Sequence, residues 1–207
     1  MNRASLLRNN SSVLFSIKGG EYKNQILQLR DYLSKGKKEL YDKGKRNLPA
    51  VIFGASFPIG AKRRSSDFDK YNEIVSIDID KLNDNELSLI KGRLEADEYI
   101  CAFWLSPSGK GYKGLVWVDY EIEITPINFE QYHKIAFANL MTYFEDKYGI
   151  ELDKSGSDIV RLCFYSYDPN LVLKEAIKKF SIQKEAFCDI KDGRAKTKSK
   201  RRLASIC

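Results

Sequence analysis

The stretch Ile74-Val75-Ser76-Ile77-Asp78-Ile79-Asp80 constrains the rest of the chain more than any other. Its β-branched apolar residues read as a strand, and the run stays apolar until two carboxylates appear one residue apart at its C-terminal end. Side chains on a strand repeat every second residue, so Asp78 and Asp80 leave the same face with their oxygens close together. Two like charges held that near each other call for a cation. A hard, oxygen-seeking divalent ion such as Mg²⁺ or Mn²⁺ is the usual one, and it most often serves phosphoryl or nucleotidyl transfer. The plainer alternative is that Asp80-Lys81-Leu82-Asn83-Asp84 is a solvated connection into a helix.

Composition narrows the setting. At 207 residues, 43% hydrophobic and 12% aromatic, the chain is long and apolar enough for a globular domain with its own core. No apolar run approaches the roughly 20 residues that span a bilayer. The patch Val13-Leu14-Phe15-Ser16-Ile17 is too brief for a signal-peptide core, so a cytoplasmic location is expected. Cys101, Cys163, Cys188 and Cys207 form no Cys-x-x-Cys pair, and with His133 as the one histidine a zinc site or Cys-His nucleophile is disfavoured. Net charge is +7, of which residues 191–207 carry +6. That basic segment reads as a disordered tail or linker over 188–207, following a domain over 11–187.

Along the domain, residues 11–17 read as a short strand. Over residues 21–42, Ile26, Leu29, Tyr32 or Leu33 and Leu40 recur at helical spacing, which predicts one helix. Lys35, Lys37, Lys38, Lys43, Lys45 and Arg46 make its later part a basic patch, either a solvated face or a seat for a phosphate backbone. Residues 48–54 read as a strand. The following Gly/Pro loop ends in Lys62, Arg63 and Arg64, a nucleic-acid clamp or simply a wetted surface loop.

Asn83 with Glu86 forms a capping box ahead of a helix that buries Leu87, Ile90 and Leu94. Residues 99–105 and 115–118 read as an antiparallel hairpin. Residues 128–148 form the clearest helix, with Phe129, Tyr132, Ala136, Phe137, Leu140, Phe144 and Tyr148 on one face and Gly149 ending it. His133, at the edge of that face, is assigned to packing. A strand over 159–165 and a less defined segment over 171–187 follow. Interleaved helices and strands broken by a hairpin favour an α+β domain with a mainly antiparallel sheet flanked by helices.

Two further stretches accompany the carboxylate pair. Ser106-Pro107-Ser108-Gly109-Lys110-Gly111-Tyr112-Lys113 combines small residues, which let backbone amides approach an anion, with Lys110 and Lys113, which suit a triphosphate. It is not a Walker A loop: Trp104 stands where that pattern needs glycine, and Gly111 where it needs Ser or Thr. A glycine-rich hairpin is also structurally ordinary. The other stretch is Leu152-Asp153, a lone acid after an apolar run, followed by Asp158 and Arg161. Arg161, in an otherwise apolar strand, needs an anion if buried: Asp158, Asp168 or a nucleotide phosphate.

In this order the pieces resemble the archaeo-eukaryotic primase superfamily. More narrowly, Leu48-Pro49-Ala50, Ser76-Ile77-Asp78-Ile79-Asp80-Lys81, Ser106-Pro107-Ser108-Gly109-Lys110-Gly111 and Arg161-Leu162-Cys163-Phe164-Tyr165-Ser166-Tyr167-Asp168-Pro169 are similar to the primase-polymerase-like VirE N-terminal domain of bacterial mobile elements, over residues 11–185. The resemblance implies an RRM-like core and template-directed nucleotidyl transfer with two Mg²⁺ or Mn²⁺ ions. It implies Asp78, Asp80 and Asp153 as catalytic, metal-holding carboxylates, and Ser106 and Ser108 beside the incoming nucleotide. By the same resemblance Lys113 stands where the superfamily has a histidine contacting the triphosphate, and Arg161 would reach the nucleotide phosphates or pair with Asp158. The implied partners are single-stranded DNA template, nucleoside triphosphates and a replicative helicase, with no membrane. A lysine in place of that histidine keeps positive charge but loses a flat donor. Two rivals stand beside this reading: a catalytically weak nucleic-acid-binding module of a helicase-primase system, and a metal-dependent nuclease.

Overall fold

A computed structural model describes residues 12–187 apart from Ser65 and Ala176; the basic segment expected over 188–207 lies outside them. The described residues open with three helices: α1 (12–19), α2 (Lys23–Ser34) and α3 (Lys38–Arg46). Three short strands follow, β1 (Ala50–Val51), β2 (Ala55–Ser56) and β3 (Lys70–Tyr71). Next come β4 (Ile74–Ile79), α4 (Asp84–Ala96), β5 (Ile100–Leu105), β6 (Tyr112–Tyr120) and α5 (Phe129–Tyr148), then β7 (Cys163–Phe164), β8 (Val172–Leu173) and β9 (Phe180–Ile182). Single 3-10 turns sit at Pro126–Asn128, Lys154–Ser157 and Lys184–Phe187.

The protein is an α+β domain built on an antiparallel sheet of order β4-β6-β5-β8, with β9 added parallel to β6. Both β4 and β5 run antiparallel to β6, which lies between them. They are therefore the parallel strands of a split β-α-β unit, with α4 as the crossover. Alternation along β4 gives the sheet two working faces. Val75, Ile77 and Ile79 pack with Ile90 and Leu94 of α4 and with Phe137, Leu140 and Phe144 of α5. On the opposite face Ile74 joins Trp104, Leu115 and Trp117 under Leu14, Ile17 and Phe53.

Several elements follow the sequence expectation. α4 carries the full capping box: the Asn83 side chain accepts from the Glu86 amide at 3.0 Å, and Glu86 accepts from the Asn83 amide at 2.8 Å. α5 ends at Gly149, whose φ of +64° is the left-handed cap that glycine adopts without strain. The hairpin β5–β6 forms in antiparallel register, and β6 starts earlier than expected, at Tyr112.

Other elements correct it. Residues 12–19 are helical, not a strand: Val13, Leu14 and Ile17 are buried while Phe15 is 65% exposed, whereas alternation would have put Phe15 on the same face as Val13 and Ile17. The single helix expected over 21–42 is two, α2 and α3, broken where Gly36 takes φ +70°. The strand expected over 48–54 shrinks to β1 and that over 159–165 to β7, and these two pair with each other, Ala50 opposite Phe164 and Val51 opposite Cys163. Arg161 precedes β7 in a turn and is exposed, so it needs no buried anion. Asp168 is engaged elsewhere, accepting from the Leu105 and Asn170 amides.

Candidate functional site

β4 lies at the end of the main sheet, so the outward carbonyl of Asp78 lacks a ladder partner on that side. The Asp153 amide donates to it at 2.9 Å. That bond draws the turn after α5 against the strand, and one glycine allows the approach. A Cβ on Gly156 would lie 2.8 Å from the Ser76 carbonyl oxygen and 2.3 Å from Phe137 Cε2. The Asp153 side chain is oriented by its own turn, accepting from the Ser155 amide at 2.9 Å. The result is that one carboxylate oxygen from each of Asp78, Asp80 and Asp153 lies within 4.8 Å of the others.

Lys113 faces this cluster from β6, directly opposite Asp78 in the β4–β6 register, and its ammonium is bonded to Asp78 Oδ2. The other Asp78 oxygen, Oδ1, is buried and has no hydrogen-bond partner among the described residues. Asp80 is exposed at the edge of the cluster, yet partial desolvation raises its pKa and the Asp78 charge raises it further. For Asp153 burial acts upward too, but hydrogen bonding from Ser155 and the charges of Arg161 and Lys113 outweigh it and hold the carboxyl below its ordinary value. Burial works to lower the Lys113 pKa, yet Cys163, Asp78 and Asp80 prevail and keep the ammonium above its usual range.

These observations bear on a divalent ion. Three carboxylate oxygens from separate side chains within 4.8 Å, with one Asp78 oxygen buried and left without a donor among the described residues, are an oxygen donor set that fits Mg²⁺ or Mn²⁺. Asp78, Asp80 and Asp153 are the residues that would hold it.

The serine-glycine hairpin closes over the same end of β4. Gly111 makes this possible, since a Cβ there would sit 2.1 Å from the Ile79 carbonyl oxygen and 3.1 Å from Asp80 Cα. Gly109 supplies the turn with φ +73°. The Ser106 and Ser108 hydroxyls bond each other at 2.9 Å, and the Lys110 amide donates to Ser108 Oγ at 3.2 Å while its side chain is exposed. Arg30 of α2 ties the hairpin down, donating to the Ser106 carbonyl at 3.1 Å and to the Tyr167 carbonyl at 2.9 Å.

Sequence reasoning passed over Arg30 and a second group, Tyr41 on α3. Tyr41 is buried, and its phenol pKa is raised by that burial and by the nearby Asp80 charge, with Lys113 and Ser108 acting in the opposite direction. A lone aromatic inside the charged run Lys38-Glu39-Leu40-Tyr41-Asp42-Lys43 was the available signal. Of the basic patch on α3, Lys45 reaches the site electrostatically, acting on Asp80. Lys35 and Lys38 are paired with Asp31 and Asp42. Arg161 lines the crevice with Asp78, Lys113 and Cys163. Lys62, Arg63 and Arg64 stand on an exposed loop, with Arg63 donating to the Val160 carbonyl at 3.1 Å. A second, larger cleft beside the crevice is lined by Arg63, Ser56, Asn72 and Leu162, and Leu162 lines both.

His133 is buried and structural, as expected. Its Nε2 bonds the Gly156 carbonyl at 3.1 Å and its Nδ1 meets the Tyr71 hydroxyl at 3.2 Å. It thereby braces the turn that carries Asp153. The thiols of Cys101 and Cys163 are likewise buried, and burial pushes them up to about 12 and about 11.

Fold and site together define an α+β domain that gathers three carboxylates at the end of a two-faced sheet, with a serine-glycine hairpin and cations around them. A family comparison is more specific: the model for the BT4734-like, N-terminal domain matches residues 43–172, well over half of the chain, and the chain belongs to that family. No curated protein and no solved structure matches it.

Proposed function

We propose that this chain is a primase-polymerase domain that joins nucleotides on a single-stranded DNA template, of the archaeo-eukaryotic primase type that its motifs resemble, acting in the replication of a mobile element. The observation that supports this most is the convergence of Asp78, Asp80 and Asp153 within 4.8 Å, although Asp153 is separated from the pair by more than seventy residues. Bound Mg²⁺ or Mn²⁺ would supply Lewis-acid activation of a 3′-hydroxyl and charge neutralisation at a triphosphate. The chain's own residues supply the rest. The amides and hydroxyls of the Ser106–Gly111 hairpin orient an incoming nucleoside triphosphate, Lys110 and Arg161 offer cations at solvent-facing positions for its phosphates, and Lys62, Arg63 and Arg64 meet the backbone of a strand. A replicative helicase is the partner, and the cytoplasm the location, that fit such an activity. Among the described residues no helix is long and apolar enough to cross a membrane.

One feature favours a second reading. The Lys113 ammonium is bonded to one of the three acids, which suits a nucleic-acid-binding module with weak turnover. Extension of a labelled primer on a single-stranded template, with Mn²⁺ or Mg²⁺ and nucleoside triphosphates, separates the readings. Elongation that Asp78→Asn and Asp80→Ala each abolish, with the fold retained by circular dichroism, is the expected result. Template binding without elongation favours the binding module, and shortening of the primer a nuclease. Unimpaired elongation by both variants refutes the metal assignment.

A further inference from the structure

We infer that Lys113 is a tethered cation of the carboxylate cluster: it holds the three acids together when no metal is bound and limits the nucleotide-free chain to a single divalent ion. This deepens the proposed function and rests on its assignment of Asp78, Asp80 and Asp153 to a metal.

The geometry is local and specific. Lys113 is the direct cross-strand partner of Asp78, so the two side chains leave the same face of neighbouring strands. Both are largely buried, with side chains 12% and 15% exposed, and the Lys113 ammonium bonds Asp78 Oδ2. A flexible four-carbon stem delivers a point charge here, and one bond to Asp78 leaves two of its three N–H donors for other anions. Asp80 and Asp153 both feel the same charge, so Lys113 serves the whole cluster and not one pair.

Charge counting gives the consequence. Three ionised carboxylates carry −3, and Lys113, bonded to one of them, reduces this to −2, the most that one divalent ion has to neutralise, since Lys45 and Arg161 also act on Asp80 and Asp153. A second ion would then enter a neutral cluster beside a fixed ammonium unless it brought anions of its own, as a nucleoside triphosphate does. Asp78 shares its load in a matching way: Oδ2 faces Lys113, while the buried Oδ1 has no hydrogen-bond partner among the described residues and is left for a metal. An uncompensated −3 in a partly buried cluster would instead push the acids apart, so the lysine also keeps the site assembled before metal arrives.

The test is Mn²⁺ titration of the full chain without nucleotide, following free Mn²⁺ by electron paramagnetic resonance, for the parent, Lys113→Met and Lys113→Arg. Methionine keeps length without charge; arginine keeps charge. The parent is expected to bind one Mn²⁺, Lys113→Arg to resemble it, and Lys113→Met to bind Mn²⁺ at least about tenfold more tightly or to take a second ion. Lys113→Met should also melt earlier than the parent without metal and gain more from Mn²⁺. A Met variant that folds only with Mn²⁺ is the same result in extreme form.

Affinity and stoichiometry that the Met substitution leaves unmoved, equal shifts in Met and Arg variants, two ions on the parent, or a Met variant still unfolded at saturating Mn²⁺ would each overturn the inference. Primer extension run in parallel keeps the two ideas apart. A parent that fails to elongate while Lys113→Met tightens Mn²⁺ removes the proposed function and leaves the tethered cation. Elongation by a parent whose Mn²⁺ affinity ignores Lys113 does the reverse.

Discussion

Replacing Gly156 by alanine tests the join between the Asp153 turn and the sheet. The new Cβ would lie 2.3 Å and 3.0 Å from Phe137 Cε2 and Cζ and 2.8 Å from the Ser76 carbonyl oxygen. Neither neighbour steps aside freely: Phe137 is packed into the core between α5 and β4, and the Ser76 oxygen is strand backbone. Overpacking of this kind costs about 1–3 kcal/mol, which for a chain of this size lowers Tm by about 2–12 °C. Relief requires the Lys154–Ser157 turn to back away from β4, and the 2.9 Å bond from the Asp153 amide to the Asp78 carbonyl goes with it. Thermal melting by circular dichroism should therefore fall together with Mn²⁺ affinity.

Gly92→Ala is the matched control. It lies inside α4 with nothing within 4 Å of its added Cβ, and should gain about 0.5–1 kcal/mol from helix propensity alone. A Gly156→Ala protein that melts with the parent and binds Mn²⁺ equally well would refute the close-approach account of how Asp153 reaches the cluster.

Two further outcomes concern stability and pH. Asp97 is buried at the end of α4 and accepts from the Tyr143 and Tyr148 hydroxyls at 2.6 and 2.7 Å and from the Tyr99 and Ile100 amides at 2.8 and 3.1 Å. Burial alone would raise its pKa, but these donors outweigh it and lower it. Its contribution is thus present above the ordinary carboxylate pKa and is lost as pH falls through the lowered folded value. Asp97→Ala leaves those donors without an acceptor and should cost about 3–5 kcal/mol by urea unfolding at pH 7. His133 acts in a higher window. Burial holds its imidazole down to about 4, so the unfolded chain takes up the proton first, and stability rises with pH from about 4 to 6.5, a span of about 3 kcal/mol. His133→Gln should flatten that slope in urea midpoints measured across the window; an unchanged slope would assign it to other groups.

Legibility differed sharply between kinds of feature. The capping box at Asn83, the left-handed Gly149 and the period-2 pairing of Asp78 with Asp80 are near-neighbour patterns, and each appears in the structure where the residues put it. Residues 11–17 read as a strand because so short a run fits a period of 2 and of 3.6 almost equally, and packing against Trp104 and Trp117 chooses the helix found over 12–19. Arg161 stands among apolar neighbours that would demand an anion if it were buried, yet the chain turns before β7 and leaves it exposed.

By itself the amino-acid sequence determined the strand that ends in two acids, the helices on either side of it and the hairpin of small residues, because each depends on contacts a few residues apart. The resemblance of the motifs already implied Asp153 as the third acid, but only the tertiary structure decided how it reaches the pair, that Lys113 would sit against Asp78, and that Arg30 and Tyr41 would close the site. Those meetings rest on an unpaired strand edge, on cross-strand register and on two glycines, Gly111 and Gly156, that let separate stretches of backbone come closer than any side chain would allow.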